Sequence, residues 1–383
     1  MNAELIERLR DFVDTECVPR ESVAHVHDPV AIDAMLAELR PIARSRGLYL
    51  PQMPAAQGGL NLGWVQRAAL FEEAGRSYLG PPALNCDAPD QPNMISLLRQ
   101  GTPAQQQRYL EPLAAGHIRS CFAMTEPAPG AGSDPSMLRS TARRDGDGWV
   151  IDGHKWFITG AVGAAFTIVL ARSDDGPTQF IVDMRNPGVE LVRAIPSIDP
   201  FAVGGHGELR FAACRIGADA VLGEVGKGFE YAQARLEPAR LSHCMRLMGR
   251  ARRAMQIAQA YVNQRASFGE RLADLQQIQA MVADNHIDLH TSRLLTLDCA
   301  RRMDEGVSVK TESAMTKVFV SEALNRIADR CAQMCGAFGM SEDQPLAWIV
   351  RELRPFRIYD GASELHRATL GRRFLKTSTG DFR

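Results

Sequence analysis

The sequence predicts an α+β chain in three parts: an N-terminal helical domain, a central β domain and a C-terminal four-helix bundle. Three observations carry this. Residues 1–120 show helical periodicity broken by Pro and Gly, residues 121–224 hold short β-branched runs between turn signals, and residues 225–383 return to long helical periods. With 383 residues the chain has room for two or three domains with substantial cores.

In the first part, Leu5, Leu9, Phe12 and Val13 fall on one helical face, as do Ile32, Met35, Leu36 and Leu39. Pro51, Pro54, Gly58-Gly59, Gly80-Pro81-Pro82 and the stretch from Pro89 to Pro92 read as loops. Thr102 followed by Pro103 reads as a helix start, the hydroxyl capping and the proline fitting the first turn. In the central part, strands are expected near 149–153, 167–172, 179–184 and 189–192, forming a compact barrel or sandwich. Asp145-Gly-Asp-Gly and Asp174-Asp-Gly-Pro are hairpin signals, and 203–207 (VGGHG) reads as a hairpin or loop. In the last part, residues 229–263, 276–304 and 309–335 each keep a helical period over several turns, the pattern of an antiparallel bundle.

Composition narrows function by exclusion. Lys and Arg number 44 against 45 Asp and Glu, so there is no long-range field to draw in nucleic acid or a membrane surface. The longest apolar run, near 161–171, contains Gly and Thr and is too short to span a bilayer, and the charged N-terminus lacks a signal-peptide core. Eight Cys stand singly, without a Cys-x-x-Cys pair, as expected of reduced thiols in a cytoplasmic protein. His286 and His290 lie one helical turn apart, but Ile287 occupies the place of a metalloprotease Glu, so they read as exposed helix residues and no metal site is expected.

The residues that could carry chemistry fall in four stretches. TEPAPGAGSD (125–134) is a small-residue loop whose backbone N–H groups and hydroxyls suit an anionic or heteroaromatic ligand. GHKWFITG (153–160) is a strand with two adjacent aromatics and a Thr. RASFG (265–269), followed by Leu272 and Gln276, offers a guanidinium that could bind a pyrophosphate bidentately. QMCGAFG (333–339) and IYDGASE (358–364) join a Gly-rich turn to the carboxylate of Asp360.

Together, at this spacing, these stretches resemble the acyl-CoA dehydrogenase family over essentially the whole chain. The family shows TEPGAGSD, then K-x-W-I-T, then R-x-x-F-G-x-x-L-x-x-x-Q, Q-x-x-G-G-x-G and I-Y-E-G-T. The resemblance implies the acyl-CoA dehydrogenase fold and FAD as cofactor. It implies that Thr125 and Ser133 contact the flavin, with Ser133 also near the CoA end, that Phe157 packs on one flavin face and that Thr159 bonds near the reactive nitrogen. Met124 and Glu364 join that cofactor set. Arg265, Phe268, Gln276, Gln333, Gly336, Ala337 and Gly339 would serve the flavin of a neighbouring subunit, which implies a homodimer or homotetramer. Asp360 falls where the family's usual catalytic Glu stands. The alternative base position on the helix carrying LEPAR (236–240) is Ala239, so Asp360 is the base the resemblance supplies. Glu237, Arg240, Gly361 and Ser133 are the implied substrate contacts.

Departures from the family pattern are specific. The first loop is two residues longer, Phe157 replaces the usual Trp, Ala337 replaces a Gly, and Asp360 is shorter than Glu by one carbon–carbon bond, about 1.5 Å. IYDGASELH and His243-Cys-Met-Arg246 resemble a branch with D-G-P-[DS]-E-V-H, some of whose large members carry a fused kinase-like domain that this chain is expected to lack. The resemblance implies oxidation of an acyl-CoA to the trans-2-enoyl-CoA, with electrons passed to an electron-transfer flavoprotein. An acyl-CoA oxidase, a catalytically weak flavin or acyl-CoA binding protein, and a 4-substituted acyl-CoA as substrate stay open from sequence.

Overall fold

The computed structural model describes residues 3–21, 29–132, 134–199 and 203–377. The chain divides into two compact units that do not follow chain order. One, here the sheet unit, comprises Ala24–Asn61 and Pro82–Pro238; the other, the bundle unit, comprises Met1–Val23, Leu62–Pro81 and Ala239–Arg383.

The sheet unit is built on seven strands: β1 (Ser120–Ala123), β2 (Thr141–Asp145), β3 (Gly148–Thr159), β4 (Phe166–Ser173), β5 (Gly176–Asp183), β6 (Val189–Ala194) and β7 (His206–Ile216). They order as β1-β4-β2-β3-β7-β6, with β5 also paired to β4. β4 (FTIVLARS) is buried along nearly all its length, as its unbroken apolar run requires of a strand covered on both faces. β6 keeps its charged residues exposed at the sheet edge, where charge discourages further pairing. Both expected hairpins form: Asp145 pairs with Gly148, and Ser173 with Gly176. Trp149, Ile151, Ile158, Val169, Phe180, Val182, Leu209 and Phe211 make the core. Gly204 and Gly205 form the turn leading into β7, which begins at His206.

Several helical segments flank the sheet. Thr102 caps its turn as expected, its hydroxyl accepting from Gln105 N at 3.2 Å. The reading of Pro89 to Pro92 as a loop is overturned, because a helix runs Asp90–Gln100 with Pro92 in its first turn. There the backbone N–H has no intrahelical acceptor, so a proline removes nothing. Gly80-Pro81-Pro82 likewise sits in a helical turn, Gly80–Ala83.

In the bundle unit the helix Lys310–Met334 is central, packing on Gln276–Asp304, Leu346–Leu353 and Ser363–Thr377. Its buried stripe includes Val320, Leu324, Ile327 and Cys331. The long helix Gly228–Gln264 contributes its residues from Ala239 onward. Its Gly249 meets Gly75, just beyond the helix Trp64–Ala74, backbone against backbone: a Cβ at Gly249 would run into Glu72 O, and one at Gly75 into Arg246 O. Arg250 locks this crossing by donating to Gly75 O and pairing with Glu352 at 2.7 Å. Glu72 adds a tie to Arg293, at 2.5 and 2.9 Å. All eight Cys are buried, Cys331 and Cys335 among them, and His286 and His290 are exposed. Among the described residues no helix is long and apolar enough to cross a membrane.

Candidate functional site

Asp360 sits in the turn between the short helical segment Arg354–Arg357 and the helix Ser363–Thr377. Ile358 N and Tyr359 N both donate to Pro355 O, at 2.7 and 3.1 Å, which ends the helical segment. The chain then enters left-handed conformation at Asp360 (φ +55°) and Gly361 (φ +95°). Asp tolerates this region better than most residues, and at 361 a Cβ would also press on the His366 ring, so only glycine fits.

Three cationic or N–H donors hold the backbone of this turn. Arg240 Nε donates to Asp360 O at 2.7 Å, and His366 Nε2 reaches the same carbonyl at 3.1 Å. Lys317 Nζ donates to Gly361 O at 2.6 Å. Lys317 is fully buried, and burial lowers its ammonium to about 8, with the nearby Asp360 carboxylate opposing that fall. Burial, helped by the Arg240 guanidinium, pushes the His366 imidazole down to about 4, so it is neutral near pH 7 and serves as a plain N–H donor.

The carboxylate is treated differently. Asp360 Oδ2 is buried without a hydrogen-bond partner, and His243 Nε2 lies 3.5 Å from it. His243 lies beside Tyr359 and Phe356, with ring centroids 5.0 and 6.1 Å away. Next to it Cys244 is buried, and burial drives its thiol far up, so it is inert. The turn thus presents a carboxylate that can accept a proton, on a backbone that cannot move freely. Glu364 is exposed in the first turn of the following helix, and Gly361 is half-buried. Glu237 is half-buried on the helix Gly228–Gln264.

A second group of expected site residues meets in the sheet unit. Trp156 N donates to Thr125 O at 3.1 Å, and Lys155 Nζ to Met124 O at 3.0 Å, so the loop after β1 lies against β3. The pairing of β3 with β7 shifts register between Lys155 and Ile158. This bulge puts Phe157 at φ +51° and turns its ring outward, 48% exposed. Bulges re-aim side chains in this way, and a bulky residue at positive φ is a costly conformation. Thr159 Oγ1 lies 3.0 Å from His206 Nδ1, and His206 Nε2 lies 3.4 Å from Asp199. Ser133 lies outside the described residues.

Sequence reasoning passed over the pair that shapes this loop. Glu126 is buried and accepts from Ala131 N, Arg139 N, Ser140 N and Ser140 Oγ at 2.6–3.1 Å, and from Lys155 Nζ at 3.0 Å. Burial alone would raise its carboxyl, but the Lys155 ammonium and these donors outweigh that and hold it at about 2. Lys155 has three acceptors, Met124 O, Glu126 Oε1 and Leu170 O, which uses all three protons of the ammonium form even though burial lowers it to about 8. The available signal was a lysine running straight into Trp156, Phe157 and Ile158 of the strand, downstream of a lone Glu in the loop. Lys317 and His366 left no such signal, since a mid-helix lysine reads as a solvated face.

The remaining expected residues lie in the bundle unit, all but Gly339 exposed. Arg265 leads a two-residue hairpin in which Ala266 pairs with Arg271 and Ser267 with Glu270. Phe268 and Gly269 form its turn at φ +54° and +91°, and the Phe268 ring is 100% exposed. The hairpin is tied to the Gly-rich turn because Tyr261, whose carbonyl accepts from Arg265 N at 2.8 Å, stacks on Phe338 at 5.6 Å. Gly336 (φ +57°) opens that turn; Gln333, Gly336 and Ala337 are exposed and Gly339 is buried. Gln276, also exposed, begins the helix Gln276–Asp304.

Residues 2–117, 121–214 and 226–375 match, in order, the N-terminal, middle and C-terminal domains of acyl-CoA dehydrogenases. The probable acyl-CoA dehydrogenase FadE2 of Mycobacterium tuberculosis is 36% identical over 91% of this chain and 87% of that protein. The chain belongs to the acyl-CoA dehydrogenase family. Members of this family are FAD-dependent oxidoreductases, and the expected order of helical, β and helical regions is theirs. Acyl-CoA dehydrogenase family member 11 of Homo sapiens is 35% identical over 95% of this chain and 49% of that protein, so the chain spans about half the length of the curated relatives it matches first. The acyl-CoA dehydrogenase of Geobacillus kaustophilus superposes with a TM-score of 0.85 at 26% identity, covering 98% of each chain.

The residues present fit a flavin. A half-exposed aromatic ring held outward, next in sequence to the Trp156 N–H that bonds Thr125 O and with the Thr159 hydroxyl two residues on, suits a planar heterocycle. An exposed Arg beside an exposed Phe suits a pyrophosphate and its adjoining ring.

Proposed function

We propose that this acyl-CoA dehydrogenase family member oxidises an acyl-CoA thioester to the trans-2-enoyl-CoA, with Asp360 as the base that removes the α-proton. The observation that carries the reading is the Asp360 carboxylate: one oxygen without a hydrogen-bond partner, on a turn whose two carbonyls are held by Arg240, His366 and Lys317. A general base needs a free lone pair and a fixed position, and this turn supplies both. The backbone N–H of Asp360 itself would donate to the thioester oxygen, whose polarisation eases proton loss. Glu237, Arg240, Gly361 and Ser133 complete the substrate set.

Met124, Thr125, Ser133, Phe157 and Thr159 would hold FAD, together with Glu364. Arg265, Phe268, Gln276, Gln333, Gly336, Ala337 and Gly339 would hold it from a second copy of the chain, in a homodimer or homotetramer. When bound, FAD supplies the acceptor for the hydride that leaves the β-carbon. We assign the chain to the branch that carries Asp in place of Glu, and an electron-transfer flavoprotein as its oxidant.

The test is anaerobic flavin bleaching by a panel of acyl-CoAs of varied length, branching and 4-substitution, followed by oxygen or electron-transfer flavoprotein. Bleaching by at least one thioester, lost in Asp360→Asn, is expected. A panel that leaves the flavin oxidised overturns the reading. Reoxidation by oxygen at the catalytic rate would make the chain an oxidase. Phe268→Ser should weaken both self-association and flavin retention, measured by sedimentation and bound-flavin absorbance.

A further inference from the structure

We infer that His243 is a positioning residue for Asp360: its Nε2–H aims the carboxylate without occupying it. This rests on Asp360 being the base. Arg246 Nη2 lies 3.2 Å from His243 Nδ1. A guanidinium has no acceptor, so Nδ1 must accept and the ring proton of a neutral imidazole is on Nε2. Nε2 is the atom that faces Asp360 Oδ2, at 3.5 Å. Both side chains are mostly shielded, His243 at 16% and Asp360 at 18% exposure, so the contact is not diluted by bulk water.

The neighbours explain why the task falls to His243. Arg240, His366 and Lys317 also surround Asp360, and their bonds to main-chain carbonyls fix the backbone of the turn. Those three bonds do not themselves set the direction of the carboxylate. Tyr359 and Phe356 flank the imidazole and restrict its tilt. An Asp base has less reach than a Glu, so the direction of its carboxylate matters more. A short charge-assisted bond would stabilise the carboxylate and blunt it as a base, whereas a contact at 3.5 Å orients it and leaves the lone pair available. In the step served, the α C–H bond breaks, its proton goes to an Asp360 oxygen, and its electron pair moves toward the thioester carbonyl.

The test uses holoenzyme carrying His243→Phe, which keeps the ring packing but cannot donate, and His243→Gln, which restores an N–H. Proton removal is read apart from hydride transfer with an acyl-CoA analogue bearing sulfur at the β-position, which can lose its α-proton but cannot give hydride. Its enolate shows as a long-wavelength charge-transfer band. His243→Phe should slow band formation and kcat by about 100-fold, the scale of a misplaced reacting group, with KM, flavin content and Tm unchanged. His243→Gln should regain most of that loss. A His243→Phe enzyme that forms the band at the parent rate overturns the inference while Asp360 stands. An Asp360→Asn enzyme that still forms it overturns the base assignment and the inference with it. Should His243→Phe not fold, 15N spectra of the parent protein decide: the proton is expected on Nε2, with its resonance moved by Asp360→Asn. A proton on Nδ1 overturns the inference.

Discussion

Two loop carboxylates, Glu126 in the sheet unit and Asp360 in the bundle unit, receive opposite treatment. Glu126 accepts from four loop donors and a buried ammonium, so it is fully ionised and fully occupied. Around Asp360 the comparable donors go to the carbonyls, and a carboxylate oxygen is left without a hydrogen bond. A carboxylate saturated with donors holds a loop in shape and has no capacity for proton transfer. One spared them keeps that capacity, and its position must come from the backbone and a ring nearby.

The largest test of this contrast is Asp360→Asn. Asn tolerates the left-handed backbone, so stability should hold while flavin reduction by acyl-CoA slows about 10²–10⁴-fold, the usual worth of a general base. Stopped-flow absorbance measures it; a slowing under tenfold would erase the distinction between the two carboxylates.

Lys155→Met probes the other side. It leaves Glu126 buried without its ammonium, and urea denaturation should show a loss of about 3–5 kcal/mol. Asp360→Asn should show almost none, so equal losses would mean the two sites are not different in kind.

Acid should separate the two regions more gently. His366 holds about 4 in the fold against an ordinary 6.5, so the folded state disfavours its charged form. Its contribution is complete above pH 6.5 and declines as pH falls toward 4. Glu126 holds about 2 against an ordinary 4.5, so its contribution is complete above pH 4.5 and declines as pH falls toward 2. On acidification the Asp360 turn should therefore loosen before the Glu126 loop. His366→Gln, which keeps a donor for Asp360 O, should remove the upper decline from a stability-versus-pH curve and leave the lower one.

What the sequence made legible follows from the range of the interactions. Strand and helix boundaries rest on local periodicity, and the hairpins at Asp145 and Ser173 and the three long helices lie close to where the pattern puts them. Motif spacing singled out Asp360, Phe157 and the Arg265 segment as candidates. The proline runs misled, because a proline in a first helical turn and one in a loop look alike in sequence. Lys155 and Lys317 acquire their acceptors only through long-range packing, and His243 meets Asp360 the same way. A buried lysine is indistinguishable in sequence from a surface one until its three acceptors are in place. The bulge at Phe157 was also hidden, since it arises from the pairing of β3 with β7 and not from any residue between Gly153 and Gly160.

The crossing of Gly75 and Gly249 extends the reach of the Asp360 site along the chain. Arg246, whose carbonyl faces Gly75, is the residue that bonds the His243 ring. A methyl group at 75 or 249 would have to wedge two main chains apart, and the displacement would be felt at the imidazole before it was felt in the core. These two glycines touch no substrate and would pass for spacers in a mutational scan. They should nonetheless behave like active-site positions, tolerating almost no substitution.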